Sequence, residues 1–332
     1  MLRAGIIGCT GIGREHAAGL AGLENVDVVA ACDLNAAAAE SFRADMSDFW
    51  DDITAYTGHT AMLAEQALDV VTVATGDNAH ATLVVDAARA GVRGIFCEKP
   101  LATSVADADR MIEAVRDSGA VLSVDHTRRW QPLWRRAYER VTQDDAIGPV
   151  RCVIGALNGP RAMLFRNGTH LIDALCYLAG SDPEWVFAEL ERGYEDHTEY
   201  RGDGGSDPSL EPSASGYIHF ANGVRGFYTG TSKRSAGPKW HFEVMGSEAQ
   251  IIVDKEATLI RGGKSEIIVA PEAAMSGIPA GVRDLVEALG EGRETRSPMS
   301  AAMNVVEVIF GFLESQRLGN TRVDLPVPRD RA

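Results

Sequence analysis

The sequence predicts a doubly wound α/β domain over residues 1–125, followed over 126–332 by an α+β domain with a mostly antiparallel sheet. Two observations carry that expectation. Up to about residue 125, short apolar runs alternate with amphipathic stretches. Beyond it, extended segments follow one another with only short turns between them. A length of 332 residues suits two domains better than one.

The first-domain strands read as Arg3–Ile7, Val26–Cys32, Asp69–Ala74, Gly94–Cys97 and Val121–Val124. Each is a near-continuous run of Val, Ile, Ala or Cys, the pattern of a parallel strand covered on both faces. Helical periodicity falls at about 14–23, 35–44, 60–67, 78–90 and 104–118, with Ser104 and Asp107 forming a capping box for the last. Strands alternating with helices imply βαβ units. In the second domain the strands read as Trp185–Leu190, Ser215–Phe220, Gly223–Thr229, Lys239–Met245, Ala249–Val253, Thr258–Ile260 and Ser265–Val269. Asn222-Gly223 accepts positive φ at low cost and marks a hairpin. Helices at about 169–179 and 298–317 bracket these strands; the second opens at Ser297-Pro298 and carries Met303, Val306, Phe310 and Leu313 on one face. The long segment 193–214, rich in Gly, Ser, Pro and acids, reads as a functional or mobile loop.

Composition excludes some classes. A net charge of −15 and a pI near 5.0 argue against nucleic acid, whose phosphates demand a basic surface. Cys9, Cys32, Cys97, Cys152 and Cys176 form no C-x-x-C pair and read as reduced, buried thiols of a cytoplasmic protein. No secretion signal opens the chain, and no apolar run approaches the roughly 20 residues of a membrane span. The eight histidines are scattered, so no metal site is expected.

Glycines cluster just after the first strand, at Gly8, Gly11 and Gly13. That is where a Rossmann fold needs a tight turn and the N–H groups of a helix start aimed at pyrophosphate. In the G-x-G-x-x-G register Thr10 replaces the middle glycine, with Gly11 and Ile12 following. Asp33, ending the second strand 20 positions beyond Gly13, suits the adenosine ribose hydroxyls and would repel a 2′-phosphate. NAD is therefore expected over NADP. Thr75 and His80 flank another strand end, where such folds bind ligands; His80 reads equally well as a first-turn packing residue.

The run CEKPLATS at 97–104 is the most specific signal. With the glycine loop at 8–13 it resembles the Gfo/Idh/MocA family, which includes glucose–fructose oxidoreductase and inositol dehydrogenase. The resemblance extends to LDVVTVAT at 68–75, HTRRWQP at 126–132, IGPV at 147–150, GTHLIDAL at 168–175 and GNTRVDLP at 319–326. It implies an N-terminal Rossmann domain and a C-terminal α+β domain whose open-faced sheet makes a subunit contact, in a homodimer or homotetramer. It also implies hydride transfer between NAD(P) and a secondary alcohol of a sugar, cyclitol or derivative. Lys99 would contact the reacting hydroxyl, Glu98 would lie near the nicotinamide ribose, and the Lys99–Pro100 bond would be cis.

A lysine or histidine can take the hydroxyl proton as hydride leaves. Lys99 fits on its own terms, at a strand end beside the glycine loop. His170 matches the family's second acid/base or substrate ligand, with Thr169 before it and Asp173 one helical turn on. The family commonly has an aspartate four residues before that histidine, where this chain has Arg166. Arg166 either binds an anionic substrate group or reaches solvent or a structural acid such as Asp173. His126, Arg128 and Trp130 read as a polyol-binding set or as domain-junction packing, and Trp134 as packing. Lys233 and Arg234 read as a solvated hairpin. The rival functions are reduction of a non-sugar substrate and non-catalytic NAD-binding regulation.

Overall fold

A computed structural model of the chain describes residues 1–203, 207–233 and 239–329, so Arg234 lies outside the described residues. The first elements in chain order are β1 (Leu2–Ile7), α1 (Ile12–Leu20), β2 (Val26–Cys32), α2 (Ala36–Asp45), β3 (Thr54–Tyr56), α3 (His59–Gln66), β4 (Val70–Val73) and α4 (His80–Arg89). Next come β5 (Gly94–Cys97), α5 (Val105–Ser118), β6 (Val121–Val124), α6 (Pro132–Thr142), β7 (Val150–Asn158), α7 (Thr169–Ala179), β8 (Pro183–Leu190) and β9 (Ala214–Phe220). The remainder are β10 (Arg225–Thr231), β11 (Trp240–Gly246), β12 (Gln250–Val253), β13 (Ala257–Arg261), β14 (Lys264–Ile268), α8 (Gly277–Glu291), α9 (Met299–Arg317) and β15 (Val323–Asp324).

Two compact units emerge: Met1–Ala102 with Asp107–Trp130 and Met275–Met299, and Thr103–Ala106 with Gln131–Ala274 and Ser300–Ala332. The first holds a parallel sheet in the order β3-β2-β1-β4-β5-β6. The order reverses between β1 and β4, and such a switch point opens a crevice at the carboxyl ends of the strands. Apolar side chains cover both faces of β1, β2, β4 and β5. β3 carried no strand signal because its Thr-Ala-Tyr is short and at best half-buried, at the sheet edge.

A single boundary near residue 126 needs correction, because 275–299 belongs to the first unit. There α8 contributes Val282, Leu285 and Val286 to the core that contains Ile6, Val28, Phe96 and Trp130. A Cβ on Gly281 would stand 2.9 Å from the Phe96 ring, so glycine lets the helix seat. Gly277, Pro279 and Gly281 fill its first turns and hide its helical periodicity.

The second unit holds a nine-stranded sheet, β14-β13-β12-β11-β7-β10-β9-β8-β15. Its pairs are antiparallel except β10 on β7. One face carries α7 and α9: a Cβ on Gly155 would meet Leu171 at 2.8 Å, and one on Gly216 would meet Phe312 at 2.6 Å. The alternate positions present Trp185, Phe187, Tyr217, His219 and Phe227, with Trp185 and Tyr217 centroids 5.0 Å apart. Phe187 remains 43% exposed and Phe227 40%. All five cysteines are buried and unbridged, and burial pushes Cys9 up to about 12 and Cys32 to about 11. Among the described residues no helix is long and apolar enough to cross a membrane.

Candidate cofactor and catalytic site

The loop after β1 is built by what glycine lacks. A Cβ on Gly8, at φ +94°, would stand 2.1 Å from the Ala74 carbonyl oxygen at the end of β4. One on Gly13 would stand 1.7 Å from the Gly8 oxygen. Both glycines are therefore needed to bring the loop and the start of α1 together. At Gly11, φ +36°, a Cβ would meet nothing within 4 Å, so the outer side of the loop is open. Thr10, Gly11 and Ile12 are exposed there, and no side chain caps α1. An open backbone rim at a helix N-terminus fits the pyrophosphate of a dinucleotide.

Asp33 holds this loop from the end of β2. Its Oδ2 accepts the Cys9 N–H at 3.0 Å and its Oδ1 the Asn35 N–H at 2.9 Å. Thr75 is half-buried after β4. His80 is fully buried, with Nδ1 2.8 Å from the Pro100 carbonyl oxygen and Nε2 3.2 Å from that of Thr75. With both ring nitrogens on backbone oxygens, His80 ties the turns after β4 and β5 together and presents nothing to a cofactor. That corrects its reading as a cofactor ligand.

Glu98 and half-buried Lys99 leave β5 at the same carboxyl edge, and the Lys99–Pro100 bond is cis. Glu98 is buried between two groups that sequence reasoning missed. His16, fully buried on α1, has Nε2 3.4 Å from Glu98 Oε1. Asp125, buried at the end of β6, hydrogen-bonds the Glu98 carboxyl from elsewhere. Burial alone would raise both acids. For Glu98 the hydrogen bonds from His16 and Asp125 and the charges of His16 and Lys99 outweigh it, holding the carboxyl down at about 2. Asp125 is pushed well above the ordinary carboxylate range through burial and then the Glu98 charge.

The residues after β6 divide. Arg128 is half-buried, donates to Thr127 Oγ1 at 3.0 Å, and is a nearby positive charge for Asp125. His126 is buried with Nδ1 3.4 Å from Ser297 Oγ. Trp130, 2% exposed, packs its ring 6.0 Å from Phe96 within the first unit's core. The reading of Trp130 as a platform for a polyol is thus corrected: neither indole face is open. Trp134 packs edge-on against Phe242 at 5.4 Å.

In the second unit a π-helical turn, Leu164–Gly168, leads into α7, whose first turn buries Thr169, His170 and Asp173. Gly168 has no room for a side chain: a Cβ would stand 2.7 Å from the Met163 carbonyl oxygen and 2.8 Å from the Tyr228 hydroxyl. Arg166 forms an ion pair with Glu211, Nη2 to Oε1 2.8 Å, with side chains 5% and 1% exposed. The expectation that Arg166 reaches a structural acid fits this pair, with Glu211 as the acid, and burial argues against the solvent-reaching and substrate-anion readings. The Arg166 charge is met inside the protein by an acid from the 193–214 segment, 45 residues away in sequence. That segment is itself tied down by Tyr194 donating to the Ser209 carbonyl at 2.9 Å and by Tyr200 edge-on to Phe165 at 4.9 Å. Lys233 is exposed.

Comparison with known proteins bears on both units. Residues 2–126 match the model of an oxidoreductase family with an NAD-binding Rossmann fold, and residues 136–252 match the GFO/IDH/MocA C-terminal domain. The chain belongs to the GFO/IDH/MocA family. It is an oxidoreductase with an NAD-binding Rossmann domain. D-apiose dehydrogenase of Paraburkholderia graminis is 37% identical over 193 residues, 54% of this chain and 50% of that protein. The alignment thus spans half the length of that relative. Myo-inositol 2-dehydrogenase of Thermotoga maritima is 26% identical over 275 residues, 78% of each chain. The structure of levoglucosan dehydrogenase with NADH and levoglucosan shares the fold, with TM-score 0.79, 20% identity and coverage of 98% and 99%.

Proposed function

We propose that this family member transfers hydride between NAD and a secondary alcohol carbon of a sugar, cyclitol or related polyol, with Lys99 handling the hydroxyl proton. The observation that carries the reading is the carboxyl edge of the parallel sheet. There an open glycine loop leaves β1 and the Glu98–Lys99 turn leaves β5, the strands on either side of β4 next to the switch point. The polyol class rests on the relatives that act on apiose and inositol.

Gly8, Gly11 and Gly13 seat the pyrophosphate, with Thr10 and Ile12 on the rim, and Asp33 takes the adenosine ribose hydroxyls. Thr75, Glu98 and Lys99 line the nicotinamide side. Bound NAD supplies the hydride acceptor. Lys99 accepts the proton of the substrate hydroxyl as the carbinol C–H bond breaks. By the family resemblance His170, with Thr169 and Asp173 beside it, is a substrate ligand and second acid/base, and Arg128 and His126 are further substrate ligands. The absence of an unpaired arginine at 166 favours neutral polyols over uronic acids or sugar phosphates. The exposed aromatic face at Trp185, Phe187, Tyr217 and Phe227 is suited to cover by a second copy, giving a cytoplasmic homodimer or homotetramer.

The test is a panel of polyols deuterated at each carbinol carbon, incubated with NAD. Deuterium appearing in NADH from one position establishes the reaction and names the carbon. A panel of sugars and cyclitols without NADH formation would overturn it in favour of a non-sugar substrate or a regulatory role.

A further inference from the structure

Three ionisable side chains meet at the base of the Lys99 turn: His16 from α1, Glu98 from the end of β5 and Asp125 from the end of β6. All are buried, Glu98 in the middle. Two carboxyls in contact away from water do not both ionise, so the pair keeps one proton. Backbone pairing fixes where Asp125 stands, since its N–H donates to the Cys97 carbonyl at 2.9 Å, one residue before Glu98. His16 meets the same carboxylate, Nε2 to Oε1 3.4 Å, with its ring set edge-on against Phe96 at 5.1 Å. Nothing in the proposed reaction uses Asp125 directly, yet its partner is the covalent neighbour of Lys99.

We propose that Asp125 is a positioning residue: as a protonated carboxyl it donates a hydrogen bond to Glu98 and, with His16, clamps that carboxylate beside the Lys99 turn. This rests on the reading of Lys99 as the proton-handling group. Without the donor, Glu98 loses one of the two bonds that fix it, and its charge is free to swing toward Lys99. The groups facing Asp125 are Glu98 and Lys99 from β5, Arg128 from the turn after β6 and, across Glu98, His16 from α1. Because the neutral acid adds no charge to this set, an amide at 125 should serve in its place.

The experiment compares Asp125→Asn, Asp125→Ala and Lys99→Met with the unsubstituted protein. Asp125→Ala should lower kcat about ten-fold or more, the worth of a hydrogen bond to a charged group, with NAD affinity by fluorescence titration unchanged within a few-fold. Asp125→Asn should restore kcat to within a few-fold and leave the pH profile of kcat in place. Infrared spectra of the NAD-free protein at neutral pH should show the carbonyl stretch of a protonated carboxyl that Asp125→Asn lacks. This last readout holds whether or not Asp125→Ala folds. Full kcat in Asp125→Ala, an Asn variant no better than Ala, a shifted pH profile in Asn, or no protonated-carboxyl band would each overturn the inference. If Lys99→Met is inactive while Asp125→Ala is normal, only the inference fails. If Lys99→Met turns over normally, the reading beneath it fails as well.

Discussion

Replacing Arg166 by methionine should destabilise the protein far more than it affects substrate binding. The side chain and its partner Glu211 are 5% and 1% exposed with 2.8 Å between charged atoms. Removing the guanidinium leaves a carboxylate in the interior without its counter-charge, which costs about 3–5 kcal/mol. For a cooperative unit of this size that corresponds to a fall in Tm of about 6–20 °C. Glu211→Leu should do the same from the other side. The double variant should recover most of the loss, since a well-packed apolar pair of similar volume is often neutral or stabilising. Differential scanning calorimetry of the four proteins closes the cycle, and KM for neutral and carboxylate-bearing polyols provides the functional arm. If Arg166→Met melts like the unsubstituted protein while KM rises only for the anionic substrates, the side chain is a substrate ligand and the buried-pair argument is wrong.

Asp33→Ser should weaken the preference for NAD over NADP and also raise KM for both cofactors, because Asp33 is the proposed ribose ligand and its Oδ2 also fixes the Cys9 N–H of the glycine loop; an NADP preference of ten-fold in the unsubstituted enzyme would contradict the role of Asp33. The proton proposed for Asp125 predicts a pH dependence of stability. Its native value lies above the unfolded value of 3.8, so its contribution is full below that pH and is lost as pH rises. Asp125→Asn should accordingly be more stable than the parent at pH 7–8 and lose that gain as pH falls through the unfolded value; urea midpoints over that range check it. Trp185→Lys with Phe187→Ser should yield monomer by light scattering if the aromatic face is the subunit contact, and an unchanged oligomer would move the contact elsewhere.

Five of the six parallel strands were legible because each is a continuous apolar run, whereas short, edge-lying β3 was not; most of the second sheet was legible because Asn222-Gly223 and short turns separate its strands, although β7 was not read. α8 was not legible, since two glycines and a proline fill its opening turns and its partners Trp130 and Phe96 lie about 150 and about 185 residues upstream. The same non-locality hid half of the candidate site. The glycines announce themselves by spacing, and Lys99 by its neighbours. His16 and Glu98 pair across 82 positions, and Arg166 finds Glu211 across 45. Local pattern also misled at His80 and Trp130, where a polar or aromatic residue near a strand end looked like a ligand contact. There the fold had spent those side chains on backbone carbonyls and core packing.

The most direct test of the central claim is the kinetics of Lys99→Met on whichever polyol proves to be the substrate. The account predicts kcat lower by about 10²–10⁴, the contribution of a positioned acid/base, with the dissociation constant of NAD within a few-fold of the parent. Turnover that survives the substitution would show that the proton is handled elsewhere, and the assignment of Lys99 would fall.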